Sequence, residues 1–315
     1  MDAGPDALRH MNDPTVRDFR TLQADGVTQS QVRALQRVGE LERVRRGVYR
    51  YSPPTDESPE ATHAVFARAT WQQLRPGGAV SHLSAAVLHG LPLLGTPPSR
   101  VWVTKPEGGH GRAGPAIHLR RCALDSHDVV DLDGVLVTSL ARTVVDVSRS
   151  ASFDQGVVVA DAALRLGVSA LDLERCTERS VHWPGASRAR RVLAFADAGS
   201  DSAGESVSRV RIKQAGLPTP VLQWRIADSS GRQLFTDFAW PELRTVGEFD
   251  GKVKYGPLLE AGRSASDAVM NEKRRENRIR AQGWWLVRWS GADLADVRSF
   301  EKVIRQGFAN APRVR

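Results

Sequence analysis

Three prolines fall within seven positions in Tyr51-Ser-Pro-Pro-Thr-Asp-Glu-Ser-Pro59. Proline has no amide hydrogen to donate and its ring collides with the preceding turn, so neither a helix interior nor a central strand runs through such a stretch. A linker is expected there. A second interruption covers His182-Trp-Pro-Gly-Ala-Ser187 and returns at Asp197-Ala-Gly-Ser-Asp-Ser-Ala-Gly204, on either side of a short basic stretch. The chain therefore reads as three segments, 1–57, 58–185 and 200–315. Its length of 315 residues agrees, because a single core stops growing near ~250 to 300 residues. Apolar residues at 41% and charged residues at 25% belong to chains that pack cores. The expected fold class is multidomain, α+β and α/β.

Cys122 and Cys176 are the two cysteines, too few for a disulfide framework or a Cys-rich zinc cluster, and a cytoplasmic location is expected. No run approaches the ~20 apolar residues of a membrane span, and the acidic stretch Met1 to Thr21 is not expected to act as a secretory signal. The net charge of +8 favours association with a polyanion.

In the first segment Val16, Phe19 and Leu22 recur at helical spacing until Asp25-Gly26. Thr28 can cap a second helix over Gln29 to Val38, with Val32, Leu35 and Val38 inward and Arg33 and Arg37 outward. Leu41-Glu-Arg-Val-Arg-Arg-Gly-Val-Tyr-Arg50 then reads as a basic hairpin turning at Gly47. Helix, tight turn, helix, hairpin is the order of a winged helix. That unit would lay its second helix in a DNA major groove, with Arg33, Arg37, Arg43, Arg45, Arg46 and Arg50 near phosphates.

The middle segment alternates helical and strand-like runs and is expected to form an α+β interaction domain. His82 and His89 stand seven apart. A metal-binding helix presents its pair at i, i+4, so these read as packed or surface histidines.

The third segment opens with an amphipathic helix from Gly204 to Gly216 carrying Glu205 in its first turn. Strands are expected over Val221 to Ala227, Arg232 to Trp240 and Thr245 to Tyr255. Along the last, period-2 alternation places Glu248, Asp250, Lys252 and Lys254 on one face, with Asp237 reachable from the preceding strand. Carboxylates on neighbouring strands suit Mg²⁺, which takes oxygen ligands. A lysine beside them can act on the attacking water, which an always-protonated arginine cannot. A basic helix with Arg274, Arg275 and Arg278 and a tryptophan-rich strand, Trp284 to Trp289, follow, and suit a nucleic-acid cleft or, equally, a core.

Glu205, Asp237, Glu248-Phe-Asp-Gly and Arg274 through Trp289 resemble the very-short-patch-repair endonuclease-like branch of the PD-(D/E)xK nuclease superfamily, over roughly Gly204 to Gly291. Val27-Thr-Gln-Ser-Gln-Val32, Arg45-Arg-Gly-Val-Tyr49 and Ser81-His-Leu-Ser-Ala-Ala86 are similar to the AbiEi-type antitoxins of type IV toxin-antitoxin systems, over Thr15 to Leu166. The first resemblance implies a restriction-endonuclease-like C-terminal domain and Mg²⁺-dependent phosphodiester hydrolysis, with Mn²⁺ as a substitute ion. Asp237 and either Glu248 or Asp250 would bind the metal, and Lys252 would act on water. Thr236 stands where that motif has proline, and Asp250 where it has lysine. The expected function is DNA binding, before RNA, with an endonuclease domain; the alternative is a non-catalytic AbiEi-type regulator that only binds nucleic acid. A toxin or a second copy of the chain would be the protein partner, and no membrane is involved.

Overall fold

The structure is a computed structural model that describes residues 16–51, 56–74, 77–106, 115–228, 231–251 and 265–312, the last range without the side chains of 265–269. The chain divides into two compact units, Met1–Ala196 and Asp197–Arg315. Both mix helix and sheet, so the molecule is a multidomain α+β protein. No helix among the described residues is long and apolar enough to cross a membrane.

The first unit begins with β1 (Val16–Asp18), α1 (Phe19–Ala24), α2 (Gln29–Arg37), β2 (Leu41–Arg45) and β3 (Val48–Tyr51). Thr28 caps α2 reciprocally: its hydroxyl accepts from the Gln31 amide at 3.3 Å while the Gln31 side chain accepts from the Thr28 amide at 2.7 Å. Two amides that the helix cannot satisfy itself are thereby paired. Val32 and Leu35 pack with Leu22 and Leu41. Val38, expected inward, is 69% exposed because the helix ends at Arg37 and Val38 is its C-cap. The strands pair antiparallel in the order β1-β3-β2, and Gly47 turns the hairpin at φ +76°.

The unit continues with α3 (Pro59–Trp71), β4 (Ala79–Val80), α4 (His82–Leu88), β5 (Val101–Lys105), β6 (Ile117–Arg121), β7 (Val129–Leu132) and β8 (Val135–Thr138). These strands form a mixed sheet in the order β6-β5-β4-β8-β7. Val80, Val101, Val103 and Val137 of that sheet pack with Ala85 and Val87 of α4 and Ala67 of α3. Four helices follow: α5 (Leu140–Ser150), α6 (Phe153–Arg165), α7 (Ala170–Arg179) and α8 (Ala186–Leu193). Arg142 of α5 is 1% exposed and pairs with Asp128 at 2.8 Å and Asp146 at 3.0 Å. His63, His82 and His89, the first two fully buried, are held by hydrogen bonds to Ser84, Ser81 and the Thr138 carbonyl respectively, in keeping with packed histidines.

The second unit runs α9 (Ala203–Gln214), β9 (Val221–Ala227), β10 (Gln233–Trp240), β11 (Thr245–Asp250), α10 (Ala265–Ala281), β12 (Trp285–Ser290) and α11 (Val297–Asn310). Its sheet order is β12-β11-β10-β9, with β11 and β12 parallel and the other pairs antiparallel. The strand expected to reach Tyr255 ends at Asp250. Ile279 of α10 packs with Val246, Leu286, Ala239 and Leu234 on one face of the sheet. On the other face Trp289 is 2% exposed, its ring against Phe238 and Phe300 and its indole N–H on the Ser208 hydroxyl at 2.7 Å. Trp284, at 7% exposure, lies in the same core as Ile279. Trp284 and Trp289 are thus core, while Trp285 is half-buried with the Arg280 guanidinium over its ring at 5.0 Å.

Candidate functional site

The acids of the second unit gather where α9 begins and where the β10–β11 ladder opens. Ser202 caps α9 and accepts from the Glu205 amide at 3.1 Å. The Glu205 carboxylate reaches back, taking the Ser202 hydroxyl at 2.8 Å, the Asp201 amide at 2.8 Å and the Gln223 side-chain amide at 3.2 Å. A Ser-x-x-Glu capping arrangement thus fixes the carboxyl at 7% exposure. Burial, and then the charge of Asp237, push its pKa up to about 7 against the pull of the Asp201 and Ser202 hydrogen bonds. Two carboxylates close enough to resist joint ionisation are a familiar mark of a functional centre.

Asp237 lies half-buried on β10. The antiparallel pairing of β10 and β11 runs from Trp240↔Thr245 to Phe238↔Gly247 and then stops. At the next step the Phe249 amide donates to the Asp237 carboxylate at 2.9 Å, a side chain replacing the ladder. The strand is irregular here. Leu234 and Ala239, five positions apart, lie in one apolar cluster, and Gln223 on the neighbouring strand has φ +49°. A non-glycine residue in the left-handed region costs conformational energy that the surroundings must repay; at Gln223 the side chain is tied to Glu205.

Glu248 stands beside Arg288 across the parallel β11–β12 pair. Its carboxylate, 6% exposed, is held by Arg275 of α10 at 2.5 Å and Arg288 of β12 at 3.1 Å, and Arg288 also bonds Glu272 and Glu276. Asp250, half-buried at the end of β11, makes no hydrogen bond or ion pair among the described residues. Lys252 and Lys254 lie outside the described residues.

Among the described residues no three His, Cys, Asp or Glu side chains are grouped as a metal centre. Glu205 and Asp237 nonetheless supply an oxygen-only pair whose repulsion a hard cation would relieve, so their donor chemistry fits Mg²⁺. Glu248 does not fit as a third ligand in this arrangement, because both of its oxygens are engaged by guanidinium groups. Of the alternatives Glu248 and Asp250 for the second ligand, Glu248 is the one taken up by arginines. Glu205 and Asp237 come within electrostatic reach of each other, and Asp250 lies at the end of β11; Gln223, Arg275 as a clamp and Arg288 were not singled out from the sequence. Ser202-x-x-Glu205 was a legible signal; the Arg288 to Glu248 pair, 40 residues apart, left none.

The basic residues sort by exposure. Arg33 and Arg37 of α2 and Arg43 and Arg46 of the hairpin are exposed. Arg45 is half-buried over the Phe66 ring at 5.7 Å. Arg50, expected at a phosphate, is instead 6% exposed and paired with Glu42 at 2.6 Å and Glu57 at 2.7 Å, since its position on β3 points it into the unit. On α10, Arg274 is exposed and Arg278 faces Asp228 at 3.9 Å; both border an open cleft with Arg232, Asn271 and Asn277. Arg275 is turned inward to Glu248, Glu272 and the Phe235 carbonyl.

No protein-family model matches the chain. Two uncharacterized proteins of Mycobacterium tuberculosis, MT2308 of strain CDC 1551 / Oshkosh and Rv2248 of strain ATCC 25618 / H37Rv, are each 31% identical to it over 159 residues, 46% of this chain and 59% of theirs. The chain therefore spans less than two thirds of these curated relatives. The crystal structure of the RV2827C protein from Mycobacterium tuberculosis aligns with a TM-score of 0.38 at 18% identity, over 69% of this chain and 82% of that one. A likeness of that size leaves function to be argued from the residues.

Proposed function

We propose that the protein binds DNA and that its second unit is a nuclease of the PD-(D/E)xK type, with Glu205 and Asp237 as the reactive acids. The observation that carries this reading is the pair of the buried Glu205 and the half-buried Asp237, whose charge raises the Glu205 pKa. The α-β-β-β-α-β order of the unit, with its mixed four-stranded sheet, supports it. Glu205 and Asp237 would hold Mg²⁺, or Mn²⁺ in its place, and such an ion when bound supplies Lewis-acid activation of a phosphodiester. The chain's own part is to fix both carboxylates by Ser202, Gln223 and the Phe249 amide, and to keep Glu205 close to its protonation midpoint near neutral pH. Asp250, at the end of β11, and Lys252, two positions further along the sequence, complete the proposed set. The decisive assay is cleavage of plasmid and single-stranded DNA with Mg²⁺, Mn²⁺ or EDTA. Asp237→Asn and Glu205→Gln should each abolish metal-dependent cleavage, and undiminished cleavage by both variants refutes the reading.

One observation favours a binding-only regulator of AbiEi type instead: Glu248 is saturated by Arg275 and Arg288. On this reading the β-α-α-β-β start of the chain serves as a winged helix, with Arg33, Arg37, Arg43 and Arg46 as phosphate contacts and a toxin as the protein partner. DNA affinity would then survive EDTA and fall when Arg43 and Arg46 are both replaced by alanine. Gel shifts unmoved by that double variant count against the hairpin as a reader of DNA.

A further inference from the structure

A cavity of about 820 Å³ in the first unit lies between the end of β6, the start of α4, the C-terminal end of α5 and the segment leading into α8. Its walls carry Arg120, Arg121, Arg149 and Arg188 with His82 and His182, and among the described residues no aspartate or glutamate. Arg149 is oriented by Asp146 at 2.8 Å and by the Pro184 carbonyl at 2.9 Å, and it lies over the Trp183 ring. One nitrogen of Arg188 donates to the Arg149 and Ala151 carbonyls at 3.2 and 2.8 Å, which fixes that guanidinium as well. Neither Arg120 nor Arg188 has a carboxylate partner among the described residues. Gly185 has φ +86°, and a side chain there would collide with the Arg149 carbonyl, so the loop is drawn tightly onto the end of α5.

His82 is the most constrained wall residue. It is 2% exposed, has φ +53° and stacks on Trp102 at 4.6 Å. Its Nδ1 is tied to the Ser81 hydroxyl at 2.9 Å, and Ser81 in turn accepts from Thr104 at 2.8 Å. With Nδ1 engaged, Nε2 is the ring nitrogen left for a ligand. Arg120 and Arg188, without a carboxylate among the described residues, and Arg149, which shares its charge with Asp146, suit phosphate oxygens, which guanidinium groups bind through paired N–H donors.

We propose that this cavity binds a small phosphorylated molecule of nucleotide size, with Arg120, Arg149 and Arg188 on the phosphate oxygens and His82 Nε2 as a further polar contact. The volume is that of a small-molecule site and exceeds what a bare phosphate fills. Burial holds the His82 pKa down to about 4; the charge of Asp146 pulls it up, and Arg149, Arg120 and Arg142 push it down. The proposal stands whether or not the second unit cuts DNA.

The test is calorimetric titration of the full chain with inorganic phosphate, with ATP and with an unphosphorylated 12-base single-stranded oligonucleotide. ATP should bind the wild type, and Arg120→Gln and Arg188→Gln should each weaken it about tenfold, the loss of one charge-assisted contact. The exposed variant Arg298→Gln on α11 should leave it unchanged. Phosphate that binds and is lost in the same variants supports the anion contacts. Arg120 is exposed, so its replacement reads the site even where Arg188→Gln disturbs the loop. Absence of both ATP and phosphate binding, affinities unchanged in both variants, or binding of the oligonucleotide alone would overturn the proposal.

Discussion

Glu205 links the chemistry proposed for the second unit to its stability. In the unfolded chain such a group titrates near ~4.3, whereas in the folded chain it titrates at about 7. A raised acid stabilises the fold while it is protonated, so its contribution is complete below the unfolded value and is lost as pH rises through about 7. Glu205→Gln keeps one acceptor and removes the charge. Urea unfolding of this variant and of wild type should coincide near pH ~4, with the variant more stable by about 3 kcal/mol at most by pH ~8. Greater wild-type stability at the higher pH would mean that the folded site prefers the carboxylate. Arg142 is the second decisive residue. It neutralises Asp128 and Asp146 in the interior, and Arg142→Met leaves buried negative charge, so thermal unfolding should show a loss of about 3 to 5 kcal/mol.

Elements formed where local signals agreed. Thr28 and Gln31 announce the start of α2, and Thr28→Ala should cost about 1 kcal/mol in chemical denaturation. The β9 and β10 strands follow from alternation around a turn at Asp228, and α9 from Ser202-x-x-Glu205. Val38 was misread because a helical period says nothing about where the helix stops. Asp237 and Glu248 were recognisable as acids on neighbouring strands, but the partners of Glu248 come from α10 and β12, and no local pattern encodes a pairing 40 residues away. The tryptophans of β12 were ambiguous from composition, since the same residues suit a base stack or a core. Gly247 shows how closely Trp289 is packed: a Cβ there would lie 2.5 Å from the Trp289 ring. Trp289 is wedged between Phe238 and Phe300, so Gly247→Ala should destabilise the second unit by roughly 1 to 3 kcal/mol through overpacking. Preserved thermal stability in that variant would show that the ring has room to move.

At the scale of the whole molecule the chain has two units, each with its own core. Scanning calorimetry of single variants should therefore separate them: Arg142→Met lowers one unfolding transition and Gly247→Ala the other. A shared shift of both transitions by either variant would contradict this. The clamp on Glu248 bears on the proposed DNA binding. Removing that carboxylate deletes a negative charge beside Arg275 and Arg288, which keep Glu272 and, for Arg288, Glu276 as partners. If the second unit binds DNA as proposed, Glu248→Ala should bind it more tightly than the parent in gel shifts, and unchanged or weaker affinity would count against this face as a nucleic-acid surface.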